Sequence, residues 1–403
     1  MNIDTTNTLE LRNAMVDRLR ESGIITDTRV EDAMRRVPRH LFIPQAHFQR
    51  AYTGESVVTH RDEQGVATSS VSEAGIVAVM LQQLDVQPGH RILEIGAGTG
   101  YNAALLAEMT GPAGTVTSID IDAQVAREAA ENLAAAGYDT VRVACGDGDL
   151  GDVTSAPFDR IIVTAGAWDL PHAWQEQLAP GGVLVVPLRM RGLTRSIALQ
   201  WEDGRWRSRS MYECGFMPIR GLGGIAERNV QLGGDSGVFI RTDEGREADP
   251  EALGTALKHP PTVRWTGAIT RNAKHVDLWL SHLDGFCRMI ATAPALERGL
   301  VRPIYPWGSM AVVTSNSFAY LLQRPSGTDT DGKQLIELGV CAYGPDGDKL
   351  AAMVAGRMTA WQHARASLSD LWVEVYPADA ANVPDGVLNI TKRNTHVVIR
   401  SGS

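Results

Sequence analysis

Between residues 91 and 187 the chain alternates two hydrophobic periods. Short apolar, β-prone runs at 91–95, 114–120, 141–145, 158–163 and 183–187 read as strands, and the amphipathic stretches 102–109, 123–136 and 171–178 between them read as helices. Such alternation predicts an α/β fold with a doubly wound parallel sheet, whose ligands lie beyond the carboxyl ends of the strands. Two further runs near 196–201 and 206–212 flank Glu202-Asp203-Gly204 and predict an antiparallel edge hairpin. Upstream, 7–22 and a stretch from the Thr28-Arg29-Val30-Glu31 capping box to Pro38 read as helices, and 59–65 reads as an exposed loop.

From about Leu222 the pattern changes. Residues 223–261 are rich in Gly, Asp and Glu and read as a boundary region, with 238–240 as a short strand. Helical patterns at 276–283 and 349–365 and strand patterns at 310–313, 318–322, 335–343, 371–376 and 396–400 predict a C-terminal α+β domain. The expected division is therefore 1–222 and 223–403. Trp265, Trp279, Trp307, Trp361 and Trp372 lie in the second part; most read as core, with one or two available to line a peptide groove.

The first strand of the alternating region runs into Glu94-Ile95-Gly96-Ala97-Gly98-Thr99-Gly100-Tyr101. Glycines let the backbone turn tightly and approach a ligand, and the next helix offers free N–H groups at its N-terminus. The dinucleotide fingerprint needs a third glycine where this chain has Tyr101, so a dinucleotide is disfavoured. Glu94 suits an α-amino group better than a pyrophosphate, and S-adenosylmethionine (SAM) carries that amino group and no phosphate. Asp120 ends the second strand, the usual place to hold a ribose diol. Asp147, between Gly146 and Gly148, reads either as an acceptor for the adenine amino group or as a turn aspartate. Ser72, ahead of the apolar helix from Ile76, reads either as an N-cap or as part of a seat for a carboxylate. Arg189, Arg191 and Arg195 read either as a solvated loop or as a seat for a substrate acid.

Composition alters this picture little. The net charge of −9 comes without a block of like charges, which argues against nucleic acid or an anionic membrane as partner. With no basic start and no long apolar run, the chain reads as a cytoplasmic protein. Cys145, Cys214, Cys287 and Cys341 lie far apart and read as free buried thiols, with no metal-ligand spacing.

With these motifs placed, residues from about 8 to 220 resemble the protein-L-isoaspartate O-methyltransferase family. The carriers are Val37-Pro38-Arg39, Phe42-Ile43-Pro44, Leu93-Glu94-Ile95-Gly96 with Gly98 to Tyr101, Gly146-Asp147-Gly148, the run from Ala156 to Thr164, and Gln177-Leu178 with Pro180-Gly181-Gly182. The resemblance implies a class I SAM-dependent methyltransferase, Rossmann-like, that esterifies a peptide carboxylate. It implies Ser72 as the carboxylate-positioning group with Ser70 assisting. Cofactor contacts are expected from Glu94, Gly96, Ala97, Gly98, Thr99, Asp120, Ile121, Asp147 and Gly148. The family's loop reads roughly Thr-Ile-Ser-Ala-Pro-His, against Ser70-Val71-Ser72-Glu73-Ala74-Gly75 here.

The added C-terminal domain, expected to be absent from the repair enzymes, looks like the branch that accompanies ribosomally made modified peptides, closest to its lanthipeptide-associated members. That implies methylation of an aspartate in a modified precursor peptide, followed by closure to a succinimide and opening to isoaspartate. Three rivals stay open: an isoaspartyl repair enzyme, a small-molecule carboxyl methyltransferase, and a non-catalytic SAM-binding subunit that docks peptides.

Overall fold

In the computed structural model, residues 5–43, 48–225, 228–242, 249–273, 275–305, 308–364 and 371–401 are described. Pro44 of the family motif and Trp307 lie outside them.

The five predicted strands form the parallel part of one sheet. Leu178–Met190, Phe158–Val163, Arg91–Ile95, Thr115–Asp120 and Arg142–Cys145 lie side by side in that order. The order reverses after Arg91–Ile95, so the crevice of a doubly wound sheet opens beyond Ile95. Helices Tyr101–Thr110, Ala123–Ala135 and His172–Gln177 connect these strands, each within two residues of its expected limits.

Leu193–Glu202 and Arg205–Glu213 continue the sheet as the expected antiparallel hairpin. The sheet does not end there. Leu371–Pro377 pairs with Arg205–Glu213, and Thr395–Ser401 and Leu388–Thr391 follow, making ten strands in all. Expected as part of the second domain, these three strands instead extend the first sheet. The contact is held by the Glu374↔Arg207 and Val375↔Trp206 pairs and by the Ser208 hydroxyl, which accepts the Val373 N–H at 2.8 Å. Residues 222–370 are therefore closer to an insertion than to a C-terminal half. A division near 222 marks where the chain leaves the first sheet, not where it parts from it.

Within the insertion, Arg228–Gln231, Val238–Thr242, Phe286–Ala291, Ser309–Val313, Phe318–Thr328, Gln334–Tyr343 and Thr262–Thr270 form an antiparallel sheet of seven strands. Helix Gly347–Ala364 packs on it, burying Leu350, Ala351, Val354, Met358 and Trp361. One apolar cluster runs from Leu93 and Ile161 through Leu188 and Ile197 to Leu338 and Trp361, so the two sheets share a core. Trp265 lies under the Arg324 guanidinium at 4.1 Å and Trp279 donates to the Arg357 carbonyl, so both serve packing within the second unit.

Four local expectations change. The helix Thr28–Arg36 is capped by Asp27, whose carboxylate accepts the Arg29 N–H, rather than by Thr28. Residues 59–65 belong to a hairpin of Val57–Arg61 and Ala67–Val71. Its polar side chains hid it, because neither face is continuously buried and no period-two apolar pattern is needed. Ser72 is not an N-cap: the cap of helix Ala74–Leu84 is Glu73, without a side-chain cap bond. Of the cysteines, Cys287 and Cys341 are buried, while Cys214 is half-buried and Cys145 exposed.

Candidate active site

The crevice holds a cavity of about 440 Å³. Its floor is the glycine loop, one wall is the segment 67–73 that ends the first hairpin, and the other is the irregular segment 213–220.

Gly96, Gly98 and Gly100 all adopt positive φ, at 102°, 54° and 88°, conformations that L side chains resist. Their roles differ. A Cβ on Gly96 would meet the Thr164 hydroxyl at 2.5 Å, and one on Gly100 would meet Leu133 at 2.9 Å, so these two seat the loop on its neighbours. A Cβ on Gly98 would point across the cavity toward the Ser70 carbonyl at 3.7 Å. Gly98 keeps that space open.

Glu94 is fully buried in the cavity wall. It accepts from Asn102 Nδ2 at 2.8 Å and from the Ser118 hydroxyl. Burial pushes its carboxyl up to about 7, and the nearby Asp120 acts in the same direction while the two hydrogen bonds oppose it. A cationic group in the cavity would favour the charged form. Asp120 Oδ2 accepts the Gly98 N–H at 3.2 Å and Oδ1 accepts the Asp122 N–H at 3.1 Å, which aims the carboxylate at the loop.

Ala97, Thr99, Ile121 and Gly148 line the cavity. Asp147 does not. Its Oδ1 accepts the Asp149 N–H and its Oδ2 the Leu222 N–H at 2.8 Å, so its carboxylate ties down the segment that closes the cavity. Asp147 is thus a turn aspartate, and its carboxylate is engaged by the backbone.

Ser70 and Ser72 line the same cavity as Gly98, toward which the Ser70 carbonyl points. Among the described residues neither hydroxyl has a hydrogen-bond partner; the cap position that would occupy Ser72 falls on Glu73 instead.

Two contributions escaped the sequence. Residues 213–220 carry no motif and no regular period, yet they build a wall. Arg220 within that wall stands 3.8 Å from Asp120 and 3.6 Å from Asp122. Conversely, the arginine cluster expected near the site is structural. Arg195 is buried against Asp277, Arg191 donates to the Ser281 carbonyl at 2.7 Å, and Arg189 lies over the Trp168 ring at 4.5 Å. All three serve the seam between the two sheets, where Trp168 and Arg189 also line a second cavity of about 310 Å³.

An α/β crevice with a glycine loop and two strand-end carboxylates belongs to the class I methyltransferase fold. The model of the protein-L-isoaspartate(D-aspartate) O-methyltransferase family matches residues 10–223, and the chain belongs to that family. It is similar to the protein-L-isoaspartate O-methyltransferase of Methanopyrus kandleri, with 40% identity over 54% of this chain and 94% of that protein. It is similar also to that of Aeropyrum pernix, with 41% identity over 54% of this chain and 82% of that one. The chain is a protein carboxyl O-methyltransferase and its cofactor is SAM.

A solved structure of a protein-L-isoaspartate O-methyltransferase matches with a TM-score of 0.50 at 19% identity, over 90% of this chain and 96% of that one. At that identity the likeness concerns the fold alone. It spans the second unit as well as the first.

Proposed function

We propose that this enzyme methylates a side-chain carboxylate of a peptide held between Ser70, Ser72 and the glycine loop. The observation that carries the reading is the pair of hydroxyls, of Ser70 and Ser72, that line the same cavity as Gly98 and have no hydrogen-bond partner among the described residues. Glu94 would hold the cofactor's amino group, Asp120 its ribose, and Ile121 and Gly148 its adenine. These residues fit SAM: a buried carboxylate favours an ammonium beside it, and Gly98 leaves the space that a side chain would fill. When bound, SAM supplies the methyl group and departs as a neutral thioether.

The chain's own residues have little acid-base work to do. A peptide carboxylate is already ionised near neutral pH. Ser72 and Ser70 donate hydrogen bonds that hold one carboxylate oxygen and leave the other facing the cofactor space. Segment 213–220 excludes water from it.

For the substrate we favour an aspartate of a modified, lanthipeptide-like precursor peptide. Support comes from the loop itself: Glu73 lines the cavity where the family has alanine, and Ala74 and Gly75 stand in place of proline and histidine. The second reading, repair of isoaspartyl residues, is favoured by the similarity to the relatives from Methanopyrus kandleri and Aeropyrum pernix over 94% and 82% of their length. The test is mass spectrometry of two peptides incubated with enzyme and SAM, one isoaspartyl and one cyclised precursor. A gain of one methyl, or loss of one water, on the precursor alone supports the first reading, and reaction on the isoaspartyl peptide alone replaces it with the second.

A further inference from the structure

Arg39, in the short 3₁₀ turn Arg39–Phe42, is fully buried. Its Nε donates to the Ala51 carbonyl at 2.9 Å, and its Nη2 donates to the carbonyls of Glu55 at 3.2 Å and Ser72 at 2.7 Å. The guanidinium carbon lies 4.9 Å from the centre of the Tyr101 ring, at the start of the helix after the glycine loop. Among the described residues Nη1 has no hydrogen-bond partner and no carboxylate pairs with the group. Burial pulls its pKa below the usual arginine value, with only Tyr101 and Tyr52 acting the other way.

A buried charge without a counter-ion is expensive to keep, and proteins rarely hold one without use. Neutral groups could tie these three carbonyls together without burying a charge. What arginine adds is a fixed positive charge that water does not screen. It sits directly behind Ser72 and Tyr101, both of which face the cavity. A carboxylate arriving at Ser72 is the counter-ion that the fold omits.

We propose that Arg39 is the positioning residue for the substrate carboxylate: it anchors the Ser72 segment through the backbone and supplies, through that segment, the positive potential that selects an ionised side chain. The inference rests on the proposed role of Ser72. It makes discrimination between a carboxylate and its neutral isostere depend on a residue that never touches either.

The test compares binding of two SAM-competent ligands, a substrate peptide and the same peptide with asparagine at the target, to wild type, Arg39→Gln and Arg39→Lys. S-adenosylhomocysteine is held saturating, so that no turnover occurs. Expected for Arg39→Gln is a roughly tenfold weaker carboxylate peptide, an asparagine peptide within about twofold of wild type, and unchanged cofactor affinity. Arg39→Lys, which keeps the charge and loses the fork, should retain the discrimination. If Arg39→Gln weakens both peptides alike, or if Arg39→Lys loses discrimination as fully, the role is purely structural and the inference falls. Should Arg39→Gln fail to fold, the lysine variant alone decides between those outcomes. Ser72→Ala, bound beside them and assayed separately with SAM for turnover, separates the two levels: carboxylate binding and turnover both unchanged would remove the underlying site reading, whatever Arg39 does.

Discussion

The two regions that bury charge do so by opposite rules. At the seam between the sheets Arg195 is almost fully buried, yet it sits against Asp277 with Glu213 at 3.6 Å. Burial works to lower its pKa, and Asp277 followed by Glu213 outweighs burial, so the net direction is upward. Around the cavity, Arg39 and Glu94 are equally buried and each lacks a counter-ion within the fold. On the roles proposed above, the charge that serves architecture is neutralised by the protein, and the two beside the cavity are left for a ligand to neutralise.

Breaking the seam pair should have the largest effect on folding. Asp277→Ala leaves Arg195 buried with only the longer, half-exposed pair to Glu213, and should cost about 3 kcal/mol of stability, read from denaturant unfolding, with the kinetics of the folded fraction unchanged. A neutral result there would place the seam pair in the same class as the cavity charges.

Removing a bare cavity charge should do the reverse. Because the Glu94 carboxyl is raised to about 7 in the fold and titrates near 4.5 unfolded, the unfolded chain loses its proton first as pH rises. Its burial thus costs nothing at pH 4 and costs most above pH 7. Glu94→Gln should accordingly stabilise the free enzyme at pH 8, by at most about 3 kcal/mol, and leave it unchanged at pH 4. The same substitution should weaken SAM binding, and wild-type affinity should fall as pH drops below about 7, where Glu94 becomes protonated. Calorimetric titration across that range checks both signs.

Ser72→Ala tests the neutral part of the cavity. Loss of one hydrogen bond to a charged group should lower kcat/KM by roughly 10- to 100-fold, with SAM affinity and melting temperature close to wild type. The smallest effect belongs to Arg220, whose pairs with Asp120 and Asp122 are partly exposed and longer than 3.5 Å. Arg220→Ala should shift stability by less than about 0.5 kcal/mol. Its influence should show as a changed salt dependence of SAM binding, since a guanidinium then no longer faces Asp120.

The alternation of apolar runs and amphipathic stretches from residue 91 to 213 determined the parallel sheet, its helices and its edge hairpin, because strand and helix periods are local properties of the chain. The glycine loop and the acids at the ends of Arg91–Ile95 and Thr115–Asp120 were legible for the same reason: motif and geometry lie within a few residues of each other. Tertiary structure alone decided which hydroxyl is free, since a shift of the cap from Ser72 to Glu73 turns a structural serine into one that faces the cavity. It alone decided that Arg195 is neutralised by a residue 82 positions away while Arg39 is not. It also brought Leu371–Pro377 back to the edge at Arg205–Glu213. Each of these outcomes depends on which distant groups meet, and pairing across the fold leaves no period in the sequence.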